Sequence, residues 1–254
     1  MQNKLINKLR LKLKKGKPTI GGWMQICDPN IAEIMSSSQY EWITFDLEHG
    51  SYSIDNLTNL VRAVELNKKL KFVRLPNKNL EICAQALDAG CDGLIIPNVK
   101  NKEELIKVRD LAYFSPLGKR GVGFSRTNLF GKNFKKKMDV KTKPFIVAMI
   151  EDISAINNLD EILNVRGLDA ILIGPYDLSC SLKITGKFNH PRFKSALNKI
   201  IYKTKKKKIT LGLHILKRSM KEVKAHIKKG FKFIPYGTDA SLLNHSISKS
   251  FQTK

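Results

Sequence analysis

The chain has four cysteines, Cys27, Cys83, Cys91 and Cys180, with no C-x-x-C pair and no cluster of histidines beside them. A zinc site and a disulfide framework are therefore excluded as organising features. The thiols read as small buried hydrophobes in a reducing compartment. No apolar run approaches the ~18–20 residues needed to cross a bilayer. The Met1–Lys17 segment is basic and free of acids, but it lacks the apolar stretch of a secretory signal. A transit peptide is the alternative there. Leu5, Ile6, Leu9 and Leu13 at helical spacing favour a short first helix, ended by Gly16-Lys17-Pro18. A cytoplasmic protein is expected.

Acids are also scarce: 22 Asp and Glu stand against 46 Lys and Arg, a formal net charge of +24. Such a balance suits a nucleic-acid binder. Two features oppose that reading. The cations are mostly Lys and accompany abundant Asn and Ile, as AT-rich codon usage would produce. The runs Lys135–Lys137 and Lys205–Lys208 are not interleaved with the aromatics that stack on single strands. A positive field also steers small anionic substrates.

Hydrophobic residues make up 42% of the 254, enough to bury a core and to exclude intrinsic disorder. Short β-branched runs alternate with helical patterns. Strands are predicted at Ile20–Ile26, Trp42–Asp46, Phe72–Arg74, Gly93–Ile96, Ile146–Ile150, Ala170–Ile173, Thr210–Leu213 and Phe231–Ile234. Runs such as Leu94-Ile95-Ile96 are continuous, as in parallel strands buried on both faces. Helices are predicted at Asp55–Asn67 with Ser53 as cap, Leu80–Ala89 ending at Gly90, Asn101–Leu111, Ile153–Leu163, His190–Thr204 and Ser219–Lys229 before Gly230. Eight βα units of ~25 residues predict one α/β domain over residues 1–254, a TIM (β/α)8 barrel. A doubly wound sheet is the runner-up. It expects a glycine-rich turn after the first strand, whereas Gly21-Gly22 precedes that strand's core. The longest irregular stretch, Tyr113–Lys143, is expected to be functional or an interface element.

A barrel places its active site at the C-terminal ends of its strands. That rule selects Asp46, Glu48 and His49 after strand two, Arg74 at the end of strand three, and Pro97 and Asn98 after strand four. It also selects Glu151 and Asp152 after strand five, Gly174 to Asp177 after strand six, His214 after strand seven and Tyr236 after strand eight. Glu151 and Asp177 are the best pair for a hard divalent ion, Mg²⁺ or Mn²⁺, because carboxylates without Cys or clustered His favour such ions. Asp152 is better placed as a first-turn acid for the next helix. Arg74 offers a planar cationic fork for a carboxylate or enolate oxygen. His49 can move protons near neutral pH. The backbone amides around Gly174–Asp177 are suited to holding a carboxylate.

Phe45-Asp46-Leu47-Glu48-His49-Gly50, Val73-Arg74-Leu75-Pro76, Gly118-Lys119-Arg120-Gly121-Val122-Gly123, Ile150-Glu151 and Gly174-Pro175-Tyr176-Asp177-Leu178-Ser179 follow one another in order. In these motifs the chain resembles the HpcH/HpaI family of metal-dependent 2-oxo acid aldolases, from about Gly16 to Leu243. The ending Tyr236–Leu243 is similar too. The resemblance implies a TIM barrel, a hexamer built as a trimer of dimers, and a C-terminal helix exchanged with or packed on a neighbouring subunit. It implies pyruvate or a close 2-oxo acid as nucleophile, and a divalent metal (Mg²⁺, Mn²⁺ or Co²⁺) on Glu151 and Asp177. It makes His49 and Arg74 catalytic, with Asp46 and Asp88 as acids that orient the histidine or its water, Asp88 across an interface. Gly174, Tyr176, Asp177 and Met149 would contact substrate. Two positions depart from the family pattern. Met149 stands where the family usually has Gln, and Tyr176 where it usually has a small residue; both touch substrate choice.

The expected reaction is reversible cleavage of a 4-hydroxy-2-oxo acid to pyruvate and an aldehyde. Three rivals remain. A Schiff-base aldolase needs a desolvated lysine, for which only Lys100 and Lys217 lie near strand ends. An acyl-CoA carbon–carbon lyase of the wider superfamily would draw on the basic surface. A non-catalytic polyanion-binding barrel would leave Glu48, His49, Arg74, Glu151 and Asp177 unexplained.

Overall fold

The computed structural model describes residues 2–76, 81–137, 143–216 and 219–251. The chain runs α1 (Gln2–Lys14), β1 (Thr19–Met24), α2 (Pro29–Ser37), β2 (Trp42–Asp46), α3 (Ile54–Leu66), β3 (Leu70–Arg74), α4 (Glu81–Ala89), β4 (Gly93–Ile96) and α5 (Lys102–Ala112). It continues through α6 (Phe134–Lys137), β5 (Phe145–Ile150), α7 (Ile153–Asn157), α8 (Leu159–Leu163), β6 (Ala170–Ile173) and α9 (Pro175–Ser181). It ends with α10 (Pro191–Lys207), β7 (Thr210–Leu213), α11 (Met220–Lys228), β8 (Phe233–Thr238) and α12 (Asp239–Ser250). The eight strands are parallel and close in sequence order, β1 to β8, into a barrel. The predicted TIM barrel is therefore observed, and the doubly wound sheet is excluded. No helix among the described residues is long and apolar enough to cross a membrane.

Side chains alternate across each strand, so each strand splits its residues between the interior and the helical layer. The outward set, including Ile43, Phe45, Val73, Leu94, Ile146 and Ile171, is buried under the helices. Leu57, Leu60, Val61 and Val64 form the matching stripe of α3, and Ser53 caps that helix by accepting from the Asp55 amide. Gly90 ends α4 with φ +116°, a conformation that glycine adopts without a Cβ penalty.

The inward set fills the lower barrel with aromatics. Trp42 stacks on Phe233, ring centroids 4.4 Å apart and 4° from parallel. Phe72 and Phe145 complete the plug at 5.5 Å from each other. Ile6, Leu9 and Leu13 of α1 belong to the same buried cluster and close the barrel's N-terminal face. Gly21 is part of this packing: it lies inside β1, where a Cβ would stand 2.0 Å from Trp42 Cδ2. Gly21-Gly22 is thus a strand segment that admits an indole, within the strand predicted there. With the lower end plugged, the barrel interior opens at the C-terminal strand ends among the described residues.

Some boundaries differ from expectation. β1 stops at Met24 because the amides of Gln25 and Ile26 turn to the Asp239 carboxylate, at 2.8 and 2.9 Å. The predicted helix over Ile153–Leu163 breaks at Asn158 into α7 and α8. Leu80, the predicted start of α4, lies outside the described residues. α2 was not predicted, although Asp28-Pro29 is a capping pair: the Asp28 carboxylate accepts from the Asn30 and Ile31 amides. In the stretch Tyr113–Lys143, a 3-10 turn at Arg126–Asn128 is tied down by Arg126, which pairs with Glu65 and donates to the Ala89 carbonyl. The same stretch exposes Phe124 and Phe130.

Candidate active site at the barrel mouth

Inward parity delivers a polar layer just above the aromatic plug. Asp46 closes β2 and Arg74 closes β3, and the two are register partners. Arg74 Nε donates to Asp46 Oδ1 at 2.8 Å and Nη2 to Oδ2 at 2.6 Å, a two-point charge-assisted pair. Arg74 Nη1 reaches Glu48 Oε2 at 2.7 Å. Trp23 Nε1 and Gln25 Nε2 also donate to Asp46 Oδ2, at 3.0 and 3.2 Å. The amides of Glu48 and His49 donate to Oδ1 at 3.1 and 3.2 Å. Burial alone would raise the Asp46 carboxyl, but the bonds from Arg74, with Trp23 and the His49 amide, hold it below the usual range. Tyr52 fixes the strand end: its hydroxyl donates to the Met24 carbonyl at 2.7 Å and accepts the Asp46 amide at 2.6 Å.

Asp46 therefore orients Arg74 and the backbone of the 47–49 turn. The bonds to its carboxylate come from the His49 amide, not the imidazole, so its hold on the histidine acts through the turn. His49 itself is exposed at the rim, close enough to Glu48 for their charges to interact.

Glu151 stands just past β5 and is buried. Burial pushes its carboxyl up to about 7, and the charges of Asp177 and Glu48 add to the rise. The Asn98 amide, donating to Oε2 at 2.7 Å, and Arg74 oppose it. The carboxylate lies directly over Gly174, where a Cβ would stand 2.5 Å from Oε1. Glycine at that position is a steric requirement of the Glu151 pose. Asp177 sits in the first turn of α9, whose N-cap is Gly174 and whose first residue is Pro175. The negative charges of Asp177 and Glu48 both bear on Glu151, and a cation at the mouth would relieve that repulsion. Two carboxylates of this kind fit a hard divalent ion that keeps open positions for water and substrate. No cluster of three or more His, Cys, Asp or Glu suited to a metal occurs among the described residues, so such an ion would rest on Glu151 and Asp177.

The small cavity at the mouth, about 180 Å³, brings together Arg74, Met149, Glu151, Gly174, Tyr176 and Asp177 as expected from the sequence. Met149 is buried, and the half-exposed Tyr176 ring meets Phe188 edge-on at 5.0 Å. Trp23, Gln25, Leu216 and Thr238 also line the cavity and were not singled out beforehand. Trp23 was legible as an inward residue of β1; Leu216 carried no signal. His214 lines it too, its ring 4.7 Å from that of Trp23. Burial pushes its imidazole down to about 4, and the nearby Arg74 charge adds to this against the Gly237 carbonyl. His214 is thus neutral near pH 7, with Nε2 buried and without a partner among the described residues.

Two expected residues lie elsewhere. Asp88 is in the last turn of α4, which runs from the top of β3 back to the foot of β4. Its carboxylate accepts from Arg120 Nη2 at 2.6 Å. Within one chain it is at the opposite end of the barrel from Glu151, so the role expected for it requires a second subunit. Asp152 caps α7, accepting from the Ser154 amide at 2.8 Å, as its preferred reading had it. The side chain of Lys100 is 38% exposed and 3.9 Å from Asp152, a solvated lysine ill suited to Schiff-base chemistry. Lys217 lies outside the described residues.

A family model described as HpcH/HpaI aldolase/citrate lyase matches residues 19–246. The chain belongs to that family. Among curated relatives of this aldolase/citrate lyase chain, a 4-hydroxy-2-oxovalerate aldolase of Novosphingobium aromaticivorans is 28% identical over 92% of this chain and 89% of its own length. A 2-keto-3-deoxy-L-rhamnonate aldolase of Escherichia coli K12 is 29% identical over 96% and 92%. The crystal structure of an HpcH/HpaI aldolase from Desulfitobacterium hafniense DCB-2 superposes with a TM-score of 0.85 at 28% identity, covering 95% of this chain and 94% of the other. The family match spans all eight strands and hence every mouth residue described above.

Proposed function

We propose that this family member is a divalent-metal-dependent aldolase that reversibly cleaves a 4-hydroxy-2-oxo acid to pyruvate and an aldehyde. The observation that carries the reading is the placing of two carboxylates at one mouth, Glu151 over Gly174 and Asp177 at the head of α9, beside an arginine locked in place by Asp46. Relatives named as aldolases along nearly the whole chain support it.

Glu151 and Asp177 would hold the ion. When bound, a divalent cation supplies Lewis acidity toward the carboxylate and keto oxygens of a 2-oxo acid. Arg74 keeps a fixed positive charge beside the oxygen that becomes an enolate, because its other contacts leave it no freedom to swing away. His49, at the rim, moves the proton of the aldehyde-derived hydroxyl directly or through water. Trp23 and Met149 wall the interior side of the pocket, and Tyr176 faces the aldehyde partner from α9.

Mg²⁺ or Mn²⁺ is the proposed ion, with Co²⁺ as a substitute. The working form is proposed to be a cytoplasmic homo-oligomer, a hexamer by resemblance, which would bring a neighbour's Asp88 to the mouth. Asp239, at the start of α12, anchors that helix to the β1 exit; exchange of α12 between subunits is part of the same proposal. The test is release of pyruvate from a panel of 4-hydroxy-2-oxo acids, with EDTA and then with Mn²⁺ or Mg²⁺ restored. Borohydride trapping without metal dependence would replace this reading by the Schiff-base one.

A further inference from the structure

A second cleft lies at the other end of the barrel from the mouth. It is about 830 Å³ and forms where the C-terminal ends of α1, α10 and α11 converge on the feet of β5 and β7. Buried Leu13, Phe145, Leu168 and Leu211 make its floor. Its walls are cationic. Seven of its 17 lining residues are Lys or Arg, against 46 of 254 in the whole chain, so composition alone does not account for it. Asp169 is the one acid among them. It is fully engaged by Arg10, whose Nε and Nη2 donate to its two oxygens at 2.7 and 2.9 Å.

Six lysines remain: Lys14, Lys205, Lys208, Lys228, Lys229 and Lys232. Among the described residues, none of them lies within ion-pair distance of an acid. Lysines at helix C-termini ordinarily complement the helix dipole. Three such termini supply only about −1.5 charges together. A surplus of roughly four positive charges is left in one concave site. Such a concentration of like charge raises the free energy of the empty cleft and is relieved by a polyvalent anion.

We propose that this cleft binds a small polyphosphate anion, a phosphate chain carrying three or more negative charges, seated among Lys14, Lys205, Lys208, Lys228 and Lys229. A concave site of this size fits a compact ligand, whereas an extended nucleic acid would track a groove along the surface. The cleft is at the opposite end of the barrel from Glu151 and Arg74, so the site is independent of the aldolase chemistry.

The experiment is calorimetric titration of the full chain with tripolyphosphate, ATP and AMP in EDTA and 0.1 M salt. Tripolyphosphate and ATP are expected to bind at least tenfold more tightly than AMP, and binding should weaken steeply as salt rises. ATP binding more tightly than tripolyphosphate would identify the nucleoside as a source of contact with the apolar floor; equal affinities would identify the phosphate chain alone. The combined change Lys205→Ala, Lys228→Ala and Lys229→Ala should weaken tripolyphosphate binding at least tenfold while leaving the melting temperature and pyruvate release unchanged. Absence of binding, binding that ignores the lysine changes, or retention of single-stranded RNA without tripolyphosphate binding would overturn the proposal.

Discussion

Asp46 and Arg74 face each other across adjacent strands, and their side chains close a two-point ion pair inside the barrel mouth. The pair is buried, so its halves are unequal in their consequences. Arg74→Ala strands the Asp46 carboxylate among Trp23, Gln25 and two amides, a loss on the order of 3 kcal/mol in stability. It also removes positive charge from the enolate side of the pocket, and kcat/KM should fall by roughly 10²–10³. Arg74→Met combined with Asp46→Asn should recover much of the stability and none of the activity. Denaturant unfolding beside turnover separates the two effects; unchanged stability in Arg74→Ala would show that the pair is not what fixes the strand ends.

Gly174 and Glu151 make a second such relationship. Gly174→Ala places a methyl 2.5 Å from Glu151 Oε1 and must displace the carboxylate. Affinity for Mn²⁺ should drop by about 10–100-fold, as for other changes that misplace a metal ligand. Calorimetry with Mn²⁺ reads this without any assay of turnover. Wild-type affinity in the variant would remove Glu151 from the metal site.

His214 gives the protein a pH-dependent stability. Its imidazole is pushed down to about 4 in the fold, while an unfolded histidine titrates near 6.5. Between those values the unfolded chain binds the proton and the folded chain does not, so stability is complete above pH ~6.5 and declines toward pH ~4. His214→Phe keeps a ring against Trp23 and removes this contribution. The difference between variant and wild type in urea midpoint should therefore move in the variant's favour from pH 7.5 to pH 5. A difference that does not change with pH would mean that His214 is not held neutral.

The barrel was legible because several strands carry continuous apolar runs, such as Leu94-Ile95-Ile96, and helices such as α3 an apolar stripe. β2, β4, β6 and β7 fall on their predicted residues. β8 was misplaced because it is continued by Pro235 and Gly237, residues that argue against a strand in isolation; Pro235 nonetheless pairs with Gly21 of β1, and the Gly237 amide donates to the Ile215 carbonyl. β1 was drawn too long because only the tertiary structure shows the Gln25 and Ile26 amides bonding Asp239. At the mouth, the strand-end rule located Asp46, Arg74, Glu151 and Gly174. It could not show that Asp46 acts through Arg74 and the His49 amide, nor that Asp88 is at the barrel's far end, because both depend on where side chains meet.

The central claim rests on Glu151 and Asp177 serving a metal-dependent carbon–carbon cleavage. The most direct test is pyruvate release from 4-hydroxy-2-oxo acids by the chelated and the metal-restored protein, with Glu151→Gln as control. The account predicts release that EDTA abolishes, that Mn²⁺ or Mg²⁺ restores, and that Glu151→Gln lacks with either ion. Release that persists in EDTA, or a folded protein with no release under any metal, would contradict it.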